Sequence, residues 1–496
     1  MKTPPRYPSL YQINTRVWFT ELSSELGRQA TFDDIPDKEL DRLRDMGFDW
    51  IWFLSVWCTG ERGRKVSLAY PEWRADYKDT LKDLKDEDIA GSGFAIADYR
   101  VHPNLGGDSA LLRLRTRLKK RGMKVMLDFV PNHMGPDHPW VEDHPEYFVS
   151  GTESDLTNFP QNFKRVKRRE DDLILAYGRD PYFSGWPDTL QLDYSYPATA
   201  EAMIRELLRI SGQCDGLRCD MAMLILPEVF ERTWGRRAQA FWSRAIEAVR
   251  AKVPGFCFMA EVYWDMEWEL QQLGFDYTYD KRLYDRLHEG NARAVREHFY
   301  AGLDYQDKLV RFLENHDESR AAFAFDQSKH EAAAVLSYLT PGLRFFHQGQ
   351  FEGRKKRISP HLVRGPKEKV NPDIQKFYEA FLPVVKENLF REGRWELLTC
   401  APAWEGNDSF DSFIVFKWED EEDRRALVCV NYAPHDSQCY VHLPFPELSN
   451  QSIRLKDRTS SARYVRHSRD FLGKGIFLDL QGWAFHIFEI SQVKFR

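Results

Sequence analysis

The 496-residue sequence contains no uninterrupted apolar run approaching the roughly 18 residues that a membrane-spanning helix needs. Its start, MKTPPRYPSLYQ, has no apolar leader segment either. No membrane partner is therefore expected. The seven cysteines are odd in number, scattered and without a CxxC pair, which argues against a disulfide framework and predicts free thiols in a reducing, cytoplasmic compartment. Cys214 and Cys219, five apart, would face opposite sides of a strand, so neither a bridge nor a metal pair is expected of them. Lys plus Arg (70) fall short of Asp plus Glu (76), giving a net charge of -6, and this argues against a nucleic-acid partner. No Gly-rich phosphate fingerprint opens a helix. The glycines of GSGFAIADY are too close together, and the stretch reads as a loop.

Apolar residues are plentiful at 43%, and 14% of the chain is aromatic, with 15 Trp. That is enough for a large core with rings to spare for a cleft. Eight apolar runs end in polar or Gly-containing turns: residues 10–19, 48–56, 124–130, 214–220, 255–263, 275–280, 308–317 and 343–349. Helical patterns over 108–122, 197–210 and 236–253 lie between some of them. The alternation predicts an α/β fold, a closed (β/α)8 TIM barrel. Residues 135–192, rich in Pro, Asp and aromatics, are too long for a βα loop and predict a lobe inserted after strand 3. Strand-like runs separated by turns from about 390 predict a C-terminal antiparallel β-sandwich. The expected division is a barrel from 1–134 and 193–389, a lobe from 135–192 and a β domain from 390–496. Within the last, WEDEEDRR (418–425) reads as a charged hairpin tip.

In such a barrel the polar residues at strand ends converge on one mouth. They are Asp128, Asn132 and His133 after the third strand, Arg218 and Asp220 at the fourth, Glu261 at the fifth, and Asn315, His316 and Asp317 at the seventh. Asp220 and Glu261, on neighbouring strands, suit the roughly 5 to 5.5 Å spacing of a nucleophile and an acid in retaining glycosidic cleavage. Arg218, two residues before Asp220, would keep that carboxylate ionised. The apolar stretch FCFMA before Glu261 would raise its pKa and keep it protonated. A metal-dependent hydrolase is the rival chemistry, and the absence of HxH and HxxxH pairs argues against it.

The segments DFVPNHMG, GLRCDMAML, FMAEVYW and FLENHD resemble the four ordered signature regions of the α-amylase family. That resemblance implies a retaining α-glucoside enzyme acting on α-glucans or malto-oligosaccharides through a covalent glycosyl-enzyme, with an α-glucanotransferase as the alternative. It implies Asp220 as nucleophile, Glu261 as general acid/base and Asp317 as the residue gripping the sugar. Arg218 would orient Asp220, His133 and His316 would bond the sugar, and Phe94, where the family commonly has Tyr, would stack on it. Arg357 is the match for an arginine after the eighth strand, and Asp128 a structural member of the network. No cofactor is required for the chemistry. Asn132 matches a usual ligand of a structural calcium, but Met223 and Leu224 stand where many members have Lys-His, which removes another ligand and makes the acceptor side more apolar. The basic run GRKKRISPHLVRG (353–365) raises a further alternative, a phosphate or phosphosugar acceptor, against the plainer reading of a solvated loop.

Overall fold

The computed structural model describes residues 5–169, 171–443, 445, 448, 451–469 and 473–493. Eight parallel strands close the barrel: β1 (Ser9–Asn14), β2 (Trp50–Leu54), β3 (Lys124–Phe129), β4 (Gly216–Cys219), β5 (Cys257–Ala260), β6 (Tyr277–Tyr279), β7 (Leu309–Arg311) and β8 (Leu343–His347). Each is bonded to its neighbours in the chain, and β8 closes on β1. Lys124 and Tyr277 aside, every residue of these strands is buried, as expected of strands covered on both faces. All eight predicted runs contain a barrel strand.

The structure corrects three local expectations. The first run is extended only to Asn14, whose side chain accepts from the Val17 amide and starts a helix, Thr15–Leu26. The predicted helix over 236–253 begins only at Trp242. A separate helix, Pro227–Trp234, precedes it and stops at Gly235 in the left-handed region. The second half of GSGFAIADY is a strand, Ile96–Val101, paired with Trp57–Thr59. These elements belong to an insertion after β2 that also holds helices Glu61–Ala69 and Pro71–Thr80.

Residues 133–191 contain two small antiparallel sheets, one pairing His133–Met134 with Leu190–Gln191 and the other Phe163–Lys167 with Asp172–Ala176. The C-terminal region is a six-stranded and a three-stranded antiparallel sheet, with Phe413, Leu427, Val441, Ile453, Leu478 and Phe488 in the apolar layer they share. Glu419 faces Arg425 across its hairpin, so the acidic stretch between them is a turn at the tip. This region docks on the barrel through buried polar contacts. Trp418 Nε1 donates to the Leu339 carbonyl (2.8 Å) and Tyr432 Oη to that of Leu287 (2.6 Å).

Candidate active site

Strand register assembles the site. Arg218 on β4 is level with Asp128 on β3 and Met259 on β5, and Cys219 is level with Ala260. The next residues, Asp220 and Glu261, continue the ladder: the Asp220 amide bonds the Phe129 carbonyl (2.8 Å) and the Glu261 amide that of Cys219 (3.0 Å). Side chains alternate along a strand, so Arg218 and Asp220 share the inward face and Glu261 lies beside Asp220.

Arg218 is fully buried and holds the carboxylates together. One terminal nitrogen bonds Asp220, and the other is 2.7 Å from Glu261 Oε2 and 3.9 Å from Asp317 Oδ2. Its Nε is 3.3 Å from Tyr279 Oη, and its guanidinium lies 5.4 to 5.8 Å from the ring centres of Trp52, Phe94 and Tyr279. A cation enclosed by rings and facing carboxylates exerts its charge almost unscreened by water. Glu261 accepts from the Met221 amide (2.7 Å) and from Tyr263 Oη (3.0 Å). Met221, the residue whose N–H bonds the Glu261 carboxyl, adopts positive φ (42°), a strained conformation for a side chain of that size.

Burial pushes Glu261 up to about 8, opposed by Arg218 and reinforced by Asp220 and Asp317. Burial raises Asp220 too, but Arg218 and a hydrogen bond from Glu261 favour its anion. Burial thus favours the protonated form of Glu261, and Arg218 the ionised form of Asp220.

The seventh-strand segment FLENHDESR is internally braced. Asn315 Oδ1 accepts from the Asp317 and Glu318 amides (2.8 and 2.9 Å), Glu314 accepts from the Ala321 amide (2.7 Å) and pairs with Arg320 (3.0 Å), and Glu318 lies 3.4 Å from Lys281. This leaves Asp317 at the rim, its side chain 42% exposed, with His316 Nε2 3.0 Å from Oδ2. The Gln12 amide donates to His316 Nδ1 (2.9 Å), which puts the ring proton on Nε2, and burial lowers the ring to about 4 so that it stays neutral. Phe94 stacks on this imidazole (5.4 Å, 24°).

Asp128 accepts from Trp52 Nε1 (3.1 Å) and the Ser55 amide (2.8 Å), beneath the site. His133 is buried, its ring bonded to the Phe94 carbonyl and 5.3 Å from Trp186 of the lobe. Arg357 pairs with Asp76 of the β2 insertion (3.2 Å), where the helix Pro71–Thr80 lies alongside the 353–365 run, and its charge also acts on His316. Lys356 and Arg364 of that run are likewise paired, with Asp79 and with Asp83 and Asp88, which leaves less of its charge for a phosphate acceptor. Met223 and Leu224 lie in the apolar core, 0% and 3% exposed, and form no acceptor surface.

Sequence reasoning passed over Gln12, Trp52, Tyr263 and Tyr279. All four lie in apolar runs already recognised as strands or strand ends. For Tyr263 the available signal was its shared strand parity with Glu261, two residues before it.

Asn132 is engaged without a metal. A single nitrogen, Gln191 Nε2, donates to Asn132 Oδ1 (3.0 Å), the Asn132 carbonyl (2.9 Å) and the Leu192 carbonyl (3.1 Å), while Gln191 Oε1 accepts from the Arg179 amide (3.4 Å). Calcium calls for six to eight oxygens, usually with carboxylates. Here an amide N–H₂ occupies the centre of the oxygen cradle, and no cluster of three His, Cys, Asp or Glu able to hold a metal exists among the described residues. The residues at this position do not fit a calcium ion.

Fold and site together define a (β/α)8 barrel protein with a carboxylate cluster built around one arginine at the strand ends. The alpha-amylase catalytic domain family matches residues 31–396, and the chain belongs to that family. It is 26% identical over 283 residues (55% of this chain, 21% of the relative) to an alpha-1,4-glucan:maltose-1-phosphate maltosyltransferase of Burkholderia pseudomallei. It is 22% identical over 357 residues (70% and 44%) to alpha-amylase MalA of Haloarcula japonica. These matches span less than half the length of either relative. Among solved structures, the noncanonic maltogenic alpha-amylase AmyB from Thermotoga neapolitana superposes with a TM-score of 0.69 at 20% identity, over 98% of each chain.

Proposed function

We propose that this chain cleaves α-glucosidic bonds in α-glucans or malto-oligosaccharides with retention, through a glycosyl-enzyme on Asp220. The observation that carries the reading is the Arg218 fork, which holds Asp220 on one terminal nitrogen and Glu261, 2.7 Å away, on the other, while burial favours the protonated form of Glu261. Two carboxyl groups gathered on one guanidinium suit the short separation of a retaining pair better than the wider one of an inverting pair. Asp220 Oδ attacks the anomeric carbon as Glu261 gives its proton to the departing oxygen. Glu261, now anionic, then takes a proton from the water or sugar hydroxyl that displaces Asp220. Asp317 and His316 Nε2–H hold the ring hydroxyls. A site with more carboxylates than cations favours the oxocarbenium-like transition state.

Transfer to a sugar is the second reading, because curated relatives named both maltosyltransferase and α-amylase match this chain. The seven unbonded cysteines fit a reducing, cytoplasmic setting. Incubation with maltoheptaose and NMR of the first product formed tests the reading: the α-anomer is expected, and β-anomer as first product overturns it. The same assay tests the protonation assignment. The free enzyme needs Glu261 protonated, so kcat/KM holds through neutral pH and falls about ten-fold per unit above the Glu261 value of about 8. A falling limb that begins near pH 5 would contradict it.

Metal independence forms part of the proposal. Chelation with EDTA leaves the melting temperature and activity of the parent unchanged. Gln191→Glu turns the donor into a carboxylate facing three oxygens, so the variant melts several degrees lower in EDTA and recovers with millimolar calcium. A parent that itself loses stability in EDTA refutes the assignment.

A further inference from the structure

A bound glucose ring presents its anomeric carbon to Asp220 and Glu261. The glucan that continues toward the non-reducing end leaves through C4, on the opposite side of the ring. In the closed barrel the strand opposite β5, which carries Glu261, is β1, four places away in either direction, with β2 and β8 beside it. A long donor chain must therefore pass over the segments that follow those three strands. Those segments are joined to one another. Arg16, two residues past β1, donates to the Gly91 carbonyl of the β2 insertion (2.6 Å) and to the Pro360 carbonyl of the 353–365 run (3.3 Å). Insertion and run also bond directly: the Ala90 amide donates to the His361 carbonyl and the Val363 amide to that of Asp88, both at 2.9 Å.

Side chains make this junction a packed partition. Tyr77, Leu81 and Ile89 of the insertion form a small apolar core of their own with Leu362 of the run. His361 Nδ1 is 2.8 Å from Ser67 Oγ, and Trp73 packs edge to face on its ring (4.6 Å). Arg364 makes two bonds of 2.8 Å to Asp88. The partition extends from the site to the lobe. At its inner end Phe94 stacks on His316, and Arg357 lies near enough for its charge to act on the same imidazole. On the other side Asp137 of the lobe accepts from the Arg62 and Gly63 amides (2.8 and 3.2 Å), and a Cβ at Gly60 would strike its side chain. The insertion thus spans from the run after β8 to the lobe after β3, across the path of a longer donor.

Resting on the glucosidic cleavage proposed above, we infer that the β2 insertion and the 353–365 run wall off the non-reducing side of the site, so that the enzyme removes one or two terminal glucose units and does not cut inside a chain. The bond from the anomeric carbon of that terminal unit to Asp220 forms as its glycosidic bond breaks. The glycosidic oxygen takes the Glu261 proton and leaves as a hydroxyl at the new non-reducing end of the shortened glucan. A substrate is refused where its next unit meets the wall, which is discrimination by steric clash.

The experiment compares maltoheptaose with maltoheptaose whose non-reducing end carries a 4,6-O-ethylidene group. The parent cleaves the blocked substrate roughly a hundred-fold more slowly, and the first short product from the open one is glucose or maltose. Comparable rates, or first products of mixed length, overturn the wall. Arg364→Glu sets a third carboxylate against Asp83 and Asp88, so the blocked-to-open rate ratio rises about ten-fold. That ratio does not depend on the amount of active enzyme, so a general loss of fold would not move it. An unchanged ratio in the folded variant overturns the wall as its cause. Saturation-transfer NMR of maltotriose with Asp220→Asn, which does not consume the sugar, gives a second readout that needs no turnover. The non-reducing terminal ring receives the strongest saturation, whereas strongest saturation of the reducing ring overturns the wall. The retaining reading fails separately: β-anomer released from the chain end sinks that reading and leaves the wall standing.

Discussion

Asp220→Asn reduces kcat/KM for maltoheptaose by about 10⁴-fold or more, the scale of losing a covalent nucleophile, while the melting temperature stays within a few degrees of the parent. Retention of the fold follows from the surroundings of Arg218. A buried guanidinium deprived of its anion ordinarily costs several kcal/mol. Here Glu261 lies 2.7 Å away on the other terminal nitrogen, and its pKa is raised in part by the Asp220 charge. Removing that charge lets Glu261 ionise and take over as the counterion. NMR titration of the Glu261 carboxyl in the variant checks this directly, with a value below the parent's expected. Substantial turnover in Asp220→Asn rules out Asp220 as nucleophile.

Glu261→Gln separates acid from base catalysis. Loss of a general acid is worth about 10²- to 10⁴-fold, so cleavage of maltoheptaose, whose departing alkoxide needs a proton, falls by that amount. Formation of the glycosyl-enzyme from α-maltosyl fluoride needs no such proton and falls far less, so a pre-steady-state burst of fluoride is followed by slow turnover, because water then lacks its base. The high-pH limb near 8 disappears with the carboxyl. Equal losses on both substrates would remove Glu261 from the acid role and leave it a purely structural partner of Arg218.

Much of the site was legible from local sequence because a barrel strand leaves little choice. Arg218 and Asp220 are two apart and must share a face, and the chain ends of β4 and β5 must be adjacent in a closed parallel sheet. The pKa of Glu261 was foreseeable for the same reason, since the buried run before it desolvates its carboxyl. Glu314 and Glu318, which flank the Asn-His-Asp motif, had no evident role in the sequence. Their partners Arg320, Lys281 and the Ala321 amide show that they brace the segment that leaves Asp317 at the rim.

Met223 and Leu224 were misplaced because position along the chain does not specify what packs across it. Three of the five Lys and Arg residues in the run after β8 pair with aspartates some 280 residues earlier, on an insertion whose approach no local pattern records. Gln191 is a similar case: only the fold shows one amide meeting three oxygens around Asn132.

Strand periodicity and the order of the motifs were thus enough, by themselves, to determine the barrel, the family resemblance and the inward-facing carboxylates, because each depends on alternation within a strand or on strand succession. Tertiary structure alone decided which charges are already paired and that the Gln191 amide meets the oxygens around Asn132. Those outcomes depend on desolvation and on contacts between loops distant in sequence, and neither leaves a periodic trace in the chain.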